Sequence, residues 1–285
     1  AVEGSDLAGP GRGARLVLPA LDAFDKRTHS FEIFNRGNER FAFEVAASEP
    51  WITLSKASGT VDREERIDVG ARWSDVSPGA TAATLTVTGP DGRKATVKVP
   101  VQNPTANRPR AGAGFVETAG VVSMEAEHYA KANAPRGREW LRIPDLGRSL
   151  SAMTTVPVEA PAVSLADGMN LEYRMHLFDA GKVTVHAVLA PTQKFQPGAG
   201  FRYAVSFDDE APQVVNLHAD ESRVYWSKTV LDGVAEFTTI HTLANPGAHT
   251  LKFWALDPGV VLEKIVVDAG GLQPSYLGPP ESPRL

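Results

Sequence analysis

The chain has 285 residues, 42% of them hydrophobic and 22% charged, the balance of a globular protein with room for two domains of ordinary size. Its formal net charge of −5 argues against a general nucleic-acid binder, whose footprint is a basic surface. With no cysteine there can be no disulfide framework, zinc–thiolate site or thiol nucleophile, and no apolar run is long enough for a membrane-spanning helix.

The sequence opens at Ala1-Val2-Glu3-Gly4 without an initiator Met or a basic-then-apolar leader, which reads as a processed product or a piece of something longer. Short alternating runs follow. Phe31–Phe34, Phe41–Val45 and Trp51–Leu54 read as strands divided by Gly/Asn and Ser/Pro turns. Arg66–Trp73 puts Ile67, Val69, Ala71 and Trp73 on one face, and Gly89-Pro90-Asp91-Gly92 is a hairpin turn between Ala83–Thr88 and Ala95–Val101. Strands at this spacing predict an immunoglobulin-like sandwich over residues 14–102. Residues 103–114 have no apolar periodicity, are dense in Pro, Gly and Asn, and read as a linker.

Beyond it the strand pattern resumes at Met169–Leu177, Lys182–Leu189, Phe201–Phe207, Val214–Leu217, Ala235–His241, His249–Leu256 and Val260–Asp268. The prediction is all-β throughout: a second sandwich, of jelly-roll type, over residues 115–272. A Pro/Gly-rich tail over 273–285 cannot form a core of its own, and its Tyr276 and Leu277 could pin it to a surface. Helical periodicity is scarce, and Trp51, Trp73 and Trp254 are expected in the cores.

The most distinctive stretch is Met124-Glu125-Ala126-Glu127-His128-Tyr129. On a strand, Glu125 and Glu127 would share a face about 7 Å apart, and like charges that close call for a cation. Calcium, which collects carboxylate oxygens, is the natural candidate; a solvated sheet face is the other reading. Catalytic signatures are lacking: there is no Gly-x-Ser-x-Gly elbow, no His-Glu-x-x-His helix pair and no phosphate-binding glycine loop. Phe207-Asp208-Asp209-Glu210 is the one tempting acidic cluster, and it reads as a hairpin turn. Loop aromatics are the better sugar platforms, which selects Trp140, in an arginine-rich stretch taken as irregular, and Tyr225-Trp226. The arginines beside Trp140 could pair with a uronate carboxylate.

Met124–Tyr129 resembles the first strand of the calcium-binding jelly-roll carbohydrate-binding modules of families 6 and 35. That resemblance implies a structural calcium held by Glu125, Glu127 and, on the last strand, Asp268. His249–Gly259, Val260–Asp268 and Gly270–Ser282 look like the carboxy-terminal end of glycoside hydrolase family 115, and Phe31–Gly37 and Ser48–Leu54 resemble the segment preceding that end. The family consists of xylan α-1,2-glucuronidases, so the implied partners are xylan or a glucuronic-acid-decorated oligosaccharide, a catalytic domain on the parent chain, and a second copy as a candidate dimer partner. The implied setting is bacterial, secreted or periplasmic. The family's catalytic barrel lies amino-terminal to this region, so no catalytic residue carries over. A non-catalytic sugar-binding or supporting region is the expectation, with two alternatives: a purely structural dimerisation module, or a self-contained hydrolase using Asp208 and Glu210.

Overall fold

The computed structural model describes residues 1–3, 16–193, 195, 200–219 and 222–285, without the side chains of residues 223–225. It divides into two compact units, Ala1–Ala106 and Asn107–Leu285, the division falling inside the segment read as a linker.

The first unit is a sandwich of two sheets. One has the strand order Leu16–Val17, Lys94–Gln102, Ala82–Thr88, Phe41–Ala47, Ser58–Val61, with Leu21–Asp22 also on Lys94–Gln102. The other is His29–Phe34, Glu64–Ala71, Ile52–Leu54. Alternation does what the sequence pattern asks: Ile67 and Val69 have no accessible surface, while Arg66 and Asp68, alternating with them, are exposed. Each such side chain taken from water contributes about 1.5–3 kcal/mol. Trp51 is in this core, and Trp73 packs half-buried against it. In the hairpin turn, Asp91 and Gly92 both take positive φ, 56° and 69°, a geometry that Gly and Asp tolerate best.

The second unit stacks two six-stranded sheets. One runs Phe115–Val116, Asn170–Leu177, Gly247–Ala255, Arg202–Phe207, Gln213–Asn216, with Lys131–Asn133 also on Asn170–Leu177. The other runs Glu139–Ile143, Ala152–Val156, Leu262–Asp268, Gly181–Leu189, Ala235–Leu243, with Val121–Glu125 on Leu262–Asp268. Between them lies an apolar core in which Tyr203 stacks on Phe253 at 5.1 Å between ring centroids.

Three features depart from the sequence reading. Trp140 lies on a strand, Glu139–Ile143, and not in an irregular stretch; as an edge strand with one neighbour it shows no clean alternation. Arg223–Asp232 forms a helix, which lacks an apolar stripe: Val230 and Leu231 are 52% and 85% exposed. Trp254, expected in the core, points outward from its sheet.

The tail lies back on the second unit. Ser282 donates its N–H to Ser123 O (2.9 Å), and its hydroxyl accepts from Ser123 N (3.0 Å). Val116 N donates to Pro283 O, Leu285 N to Gly114 O, and the Arg284 guanidinium sits 4.9 Å over the Phe115 ring. This cover explains why Val121–Glu125 is buried on both faces, although Ser123 and Glu125 face away from the core.

Candidate functional site

Glu125 and Glu127 do not sit at alternate positions of one strand. The strand ends at Glu125, the chain turns at Ala126-Glu127, and His128 N closes the turn on Glu125 O at 3.0 Å. Both carboxylates nevertheless meet the loop 149–151. Ser149 Oγ donates to Glu125 Oε1 (2.7 Å) and Ser151 N to Glu127 Oε1 (3.3 Å).

The positive charge such a pair requires comes from the chain itself. Lys264, directly opposite Glu125 in the register, places its ammonium 2.9 Å from Glu125 Oε1; each side chain is 4% exposed. The same ammonium donates to the tail carbonyls of Pro279 (3.3 Å) and Leu277 (3.5 Å), so its three N–H groups meet three acceptors. Arg142 forms an ion pair with Glu127. Burial alone would push the Glu127 carboxyl up, but the Ser151 hydrogen bonds and Arg142 outweigh it and hold the group below the usual range.

Two further acids complete the cluster. Glu263 is the extra residue of a bulge, since Val188 pairs with Lys264 while Leu189 pairs with Leu262. Burial raises its carboxyl, and the Glu125 charge adds to the effect, against a hydrogen bond from Arg148 N. Glu281 reaches up from the tail to accept from Glu125 N (3.1 Å) and to meet His128 Nδ1 (2.7 Å).

Asp268 is not part of this group. It pairs with Val121, four residues along the strand from Glu125, which is about 13 Å. Its Oδ1 accepts from the N–H groups of Gly270, Gly271 and Leu272 and so shapes the turn into the tail. The assignment of Glu125, Glu127 and Asp268 to one metal is therefore corrected. The donor set does not fit a calcium ion: one member is remote, and the other two already carry cations. Among the described residues no three acidic or histidine side chains converge to hold a metal. Lys264, Glu263, Ser149 and Glu281 went unnoticed in the sequence, although a Glu-Lys pair interrupting the apolar run Val260–Val267 was a legible signal.

The predicted sugar contacts fall on separate elements. Trp140 is half-buried against the core at the sandwich edge, its indole N–H donating to Asn133 O at 3.0 Å. Trp226 is half-buried on the helix, and the Tyr225 side chain lies outside the described part. Three of the neighbouring arginines are committed: Arg138 to Pro161 O, Arg142 to Glu127, Arg148 to the carbonyls of Tyr276 and Asp232. Asp208 and Glu210 do lie in a hairpin turn. Asp208 bonds His249 Nδ1 (2.7 Å) and Thr250 N (2.8 Å), while Glu210 bonds His241 and Phe207 N (2.8 Å), so both are engaged within the fold. A cavity of about 250 Å³ remains under the tail, where His186 Nδ1 meets Glu236 Oε1 at 2.7 Å between Arg148 and Lys264. The His186 hydrogen bond, ahead of its charge, holds Glu236 below the ordinary glutamate range.

Two stacked sheets with a docked tail define a β-sandwich of jelly-roll type. The chain belongs to glycoside hydrolase family 115, by a match of residues 114–281, more than half of its length, to the Glycosyl hydrolase family 115 C-terminal domain. Residues 21–103 match a model described as a viral BACON domain. No curated protein matches the chain. Among solved structures it is similar to BtGH115A, described as a 4-O-methyl-α-glucuronidase with specificity for decorated arabinogalactans: 21% identity, TM-score 0.42, covering 59% of this chain and 19% of that enzyme. A family 35 carbohydrate-binding module from Clostridium thermocellum (12% identity, TM-score 0.35) matches over 52% of this chain and 98% of its own. The C-terminal family 6 module of a laminarinase from Zobellia galactanivorans (10% identity, TM-score 0.32) matches over the same shares. The chain thus spans about a fifth of the family 115 enzyme, at the C-terminal domain and not the catalytic one.

Proposed function

We propose that the chain is the carboxy-terminal region of a xylan α-1,2-(4-O-methyl)glucuronidase and that its second unit holds the parent hydrolase on glucuronoxylan. Membership of family 115 carries this reading. Trp140 supports it, with an indole at the sandwich edge whose N–H is fixed by Asn133 O. Such a ring presents an apolar face to a pyranose while its polar handle is already satisfied. A secreted or periplasmic location accompanies a polysaccharide substrate. Titration calorimetry of the chain with glucuronoxylan oligosaccharides should give saturable heat, and xylan in a native gel should retard it; neither heat nor retardation removes the reading.

A supporting, dimer-forming role has its own observation. Tyr276 and Leu277 of the tail are 75% and 52% exposed, and Arg148 joins Tyr276 O to Asp232 O beside the 85% exposed Leu231. An exposed apolar patch of this kind marks an interaction surface. Light scattering after size exclusion tests it: a monomer at high micromolar concentration eliminates self-association.

A further inference from the structure

We propose that the outer face of the sheet carrying Trp254 is a carbohydrate platform that takes a run of uncharged pyranose rings. This rests on the reading of the chain as a polysaccharide-binding region and places the contact at a definite surface.

Directly paired residues in a sheet share a face, and the register sets Asn133, Asn170, Trp254, Ala204 and Val214 side by side across five strands. The adjacent row is Lys131, Glu172, Lys252 and Ser206. Trp254 pairs with Ala204, yet its indole N–H donates to Ser206 Oγ, one row along, at 3.0 Å. The ring therefore lies along the strand Arg202–Phe207. Ala204 and Ser206 face outward but are 0% and 1% exposed, as they must be beneath a flat indole. Trp254 itself is only half-buried there, with Val214, 52% exposed, extending the apolar surface on one side. Asn133 and Glu172 offer polar groups on the other.

The cations around the ring already have partners, carboxylates for Lys131 and Arg202 and a main-chain carbonyl for Lys252. Lys131 lies 3.6 Å from Glu172, Arg202 forks onto Asp257 at 2.8 and 3.1 Å, and Lys252 donates to Asp208 O at 2.7 Å. A uronate would have to displace the carboxylates on Lys131 and Arg202 or compete with a carbonyl for Lys252, whereas a neutral sugar needs only the indole surface and hydroxyl partners. The surface is continuous with Trp140. Asn133 O holds the Trp140 indole, Asn133 Nδ2 donates to Asn170 Oδ1 (2.9 Å), and Asn170 is the neighbour of Trp254. Two interstrand steps separate Asn133 from Trp254, about 10 Å, a span that a short oligosaccharide bridges.

The test follows the indole N–H resonances of the five tryptophans in the whole chain, assigning Trp254 by its loss in Trp254→Phe. The probes are xylohexaose and the same oligosaccharide carrying one glucuronic acid. The Trp254 resonance should shift saturably with both, with affinities within about two-fold, and Trp254→Ala should weaken both by at least ~10-fold. Binding that leaves the Trp254 resonance unmoved, with affinity kept in Trp254→Ala, overturns the platform and leaves the polysaccharide reading standing. Binding of the glucuronic-acid form alone overturns the neutral-ring assignment. No binding of either probe overturns both readings together.

Discussion

Replacing Lys264 by Met strips Glu125 of its counter-charge in a place water does not reach. Both side chains are 4% exposed, and after the change Glu125 keeps only the Ser149 hydroxyl at its Oε1, while Leu277 O loses its donor and Pro279 O keeps only the Ser123 hydroxyl. Removing one partner of a buried ion pair costs about 3–5 kcal/mol, because the survivor is left uncompensated. In a domain the size of the second unit each kcal/mol moves the melting temperature by about 2–4 °C, so the transition of Lys264→Met should fall by about 6–20 °C. The double change Glu125→Leu/Lys264→Met removes both charges and should recover most of that loss, since well-packed apolar replacements of buried pairs are often neutral. Calorimetry together with urea denaturation followed by near-ultraviolet circular dichroism measures both variants. A single variant within 1 kcal/mol of the parent, or a double variant as unstable as the sum of its parts, would show that the ammonium is not what neutralises the motif.

Two further outcomes are expected. With Lys264 in place, chelator and millimolar calcium should leave the melting temperature unchanged; in Lys264→Met, calcium should raise it, because Glu125 and two tail carbonyls then face a vacated cation position. A calcium response in the parent chain refutes this. Glu117 is buried, and its carboxylate accepts from Phe178 N at 2.7 Å; burial raises its carboxyl above the ordinary value. Its ionised form is thus disfavoured in the fold, and the parent should gain stability as pH falls through the raised value toward about 4.3. Glu117→Gln keeps the acceptor without the charge, so it should be at least as stable at pH 7 and lose that increment on acidification; parallel melts from pH 4 to 8 decide it.

The strand framework was legible because alternation records a one-sided burial directly: Ile67 and Val69 inward, Arg66 and Asp68 outward, could be nothing else. Elements without such a record escaped. Glu139–Ile143 is an edge strand bordered on one side only, and the helix Arg223–Asp232 has no apolar stripe to announce it. Trp254 misled for a related reason. Flanked by Phe253 and Ala255 it sits in an apolar run, but the period of two puts those neighbours in the core and Trp254 outside. The acidic motif drew attention correctly, whereas its partners were beyond local reading: Lys264 and Glu281 stand well over a hundred residues away, and only the register and the docked tail bring them to it.

The bonds between Ser123 and Ser282 join positions 159 apart in sequence. During synthesis the strand Val121–Glu125 emerges early, and neither flank finds its mate, Leu262–Asp268 or the tail, until nearly the whole second unit has followed. Loop closure over such a span comes late and slows folding, so for that interval an acidic strand edge stands open. The charges of Glu125 and Glu127, later neutralised within the fold, meanwhile repel identical edges on neighbouring nascent chains, which is how an unpaired strand is kept from joining the wrong sheet.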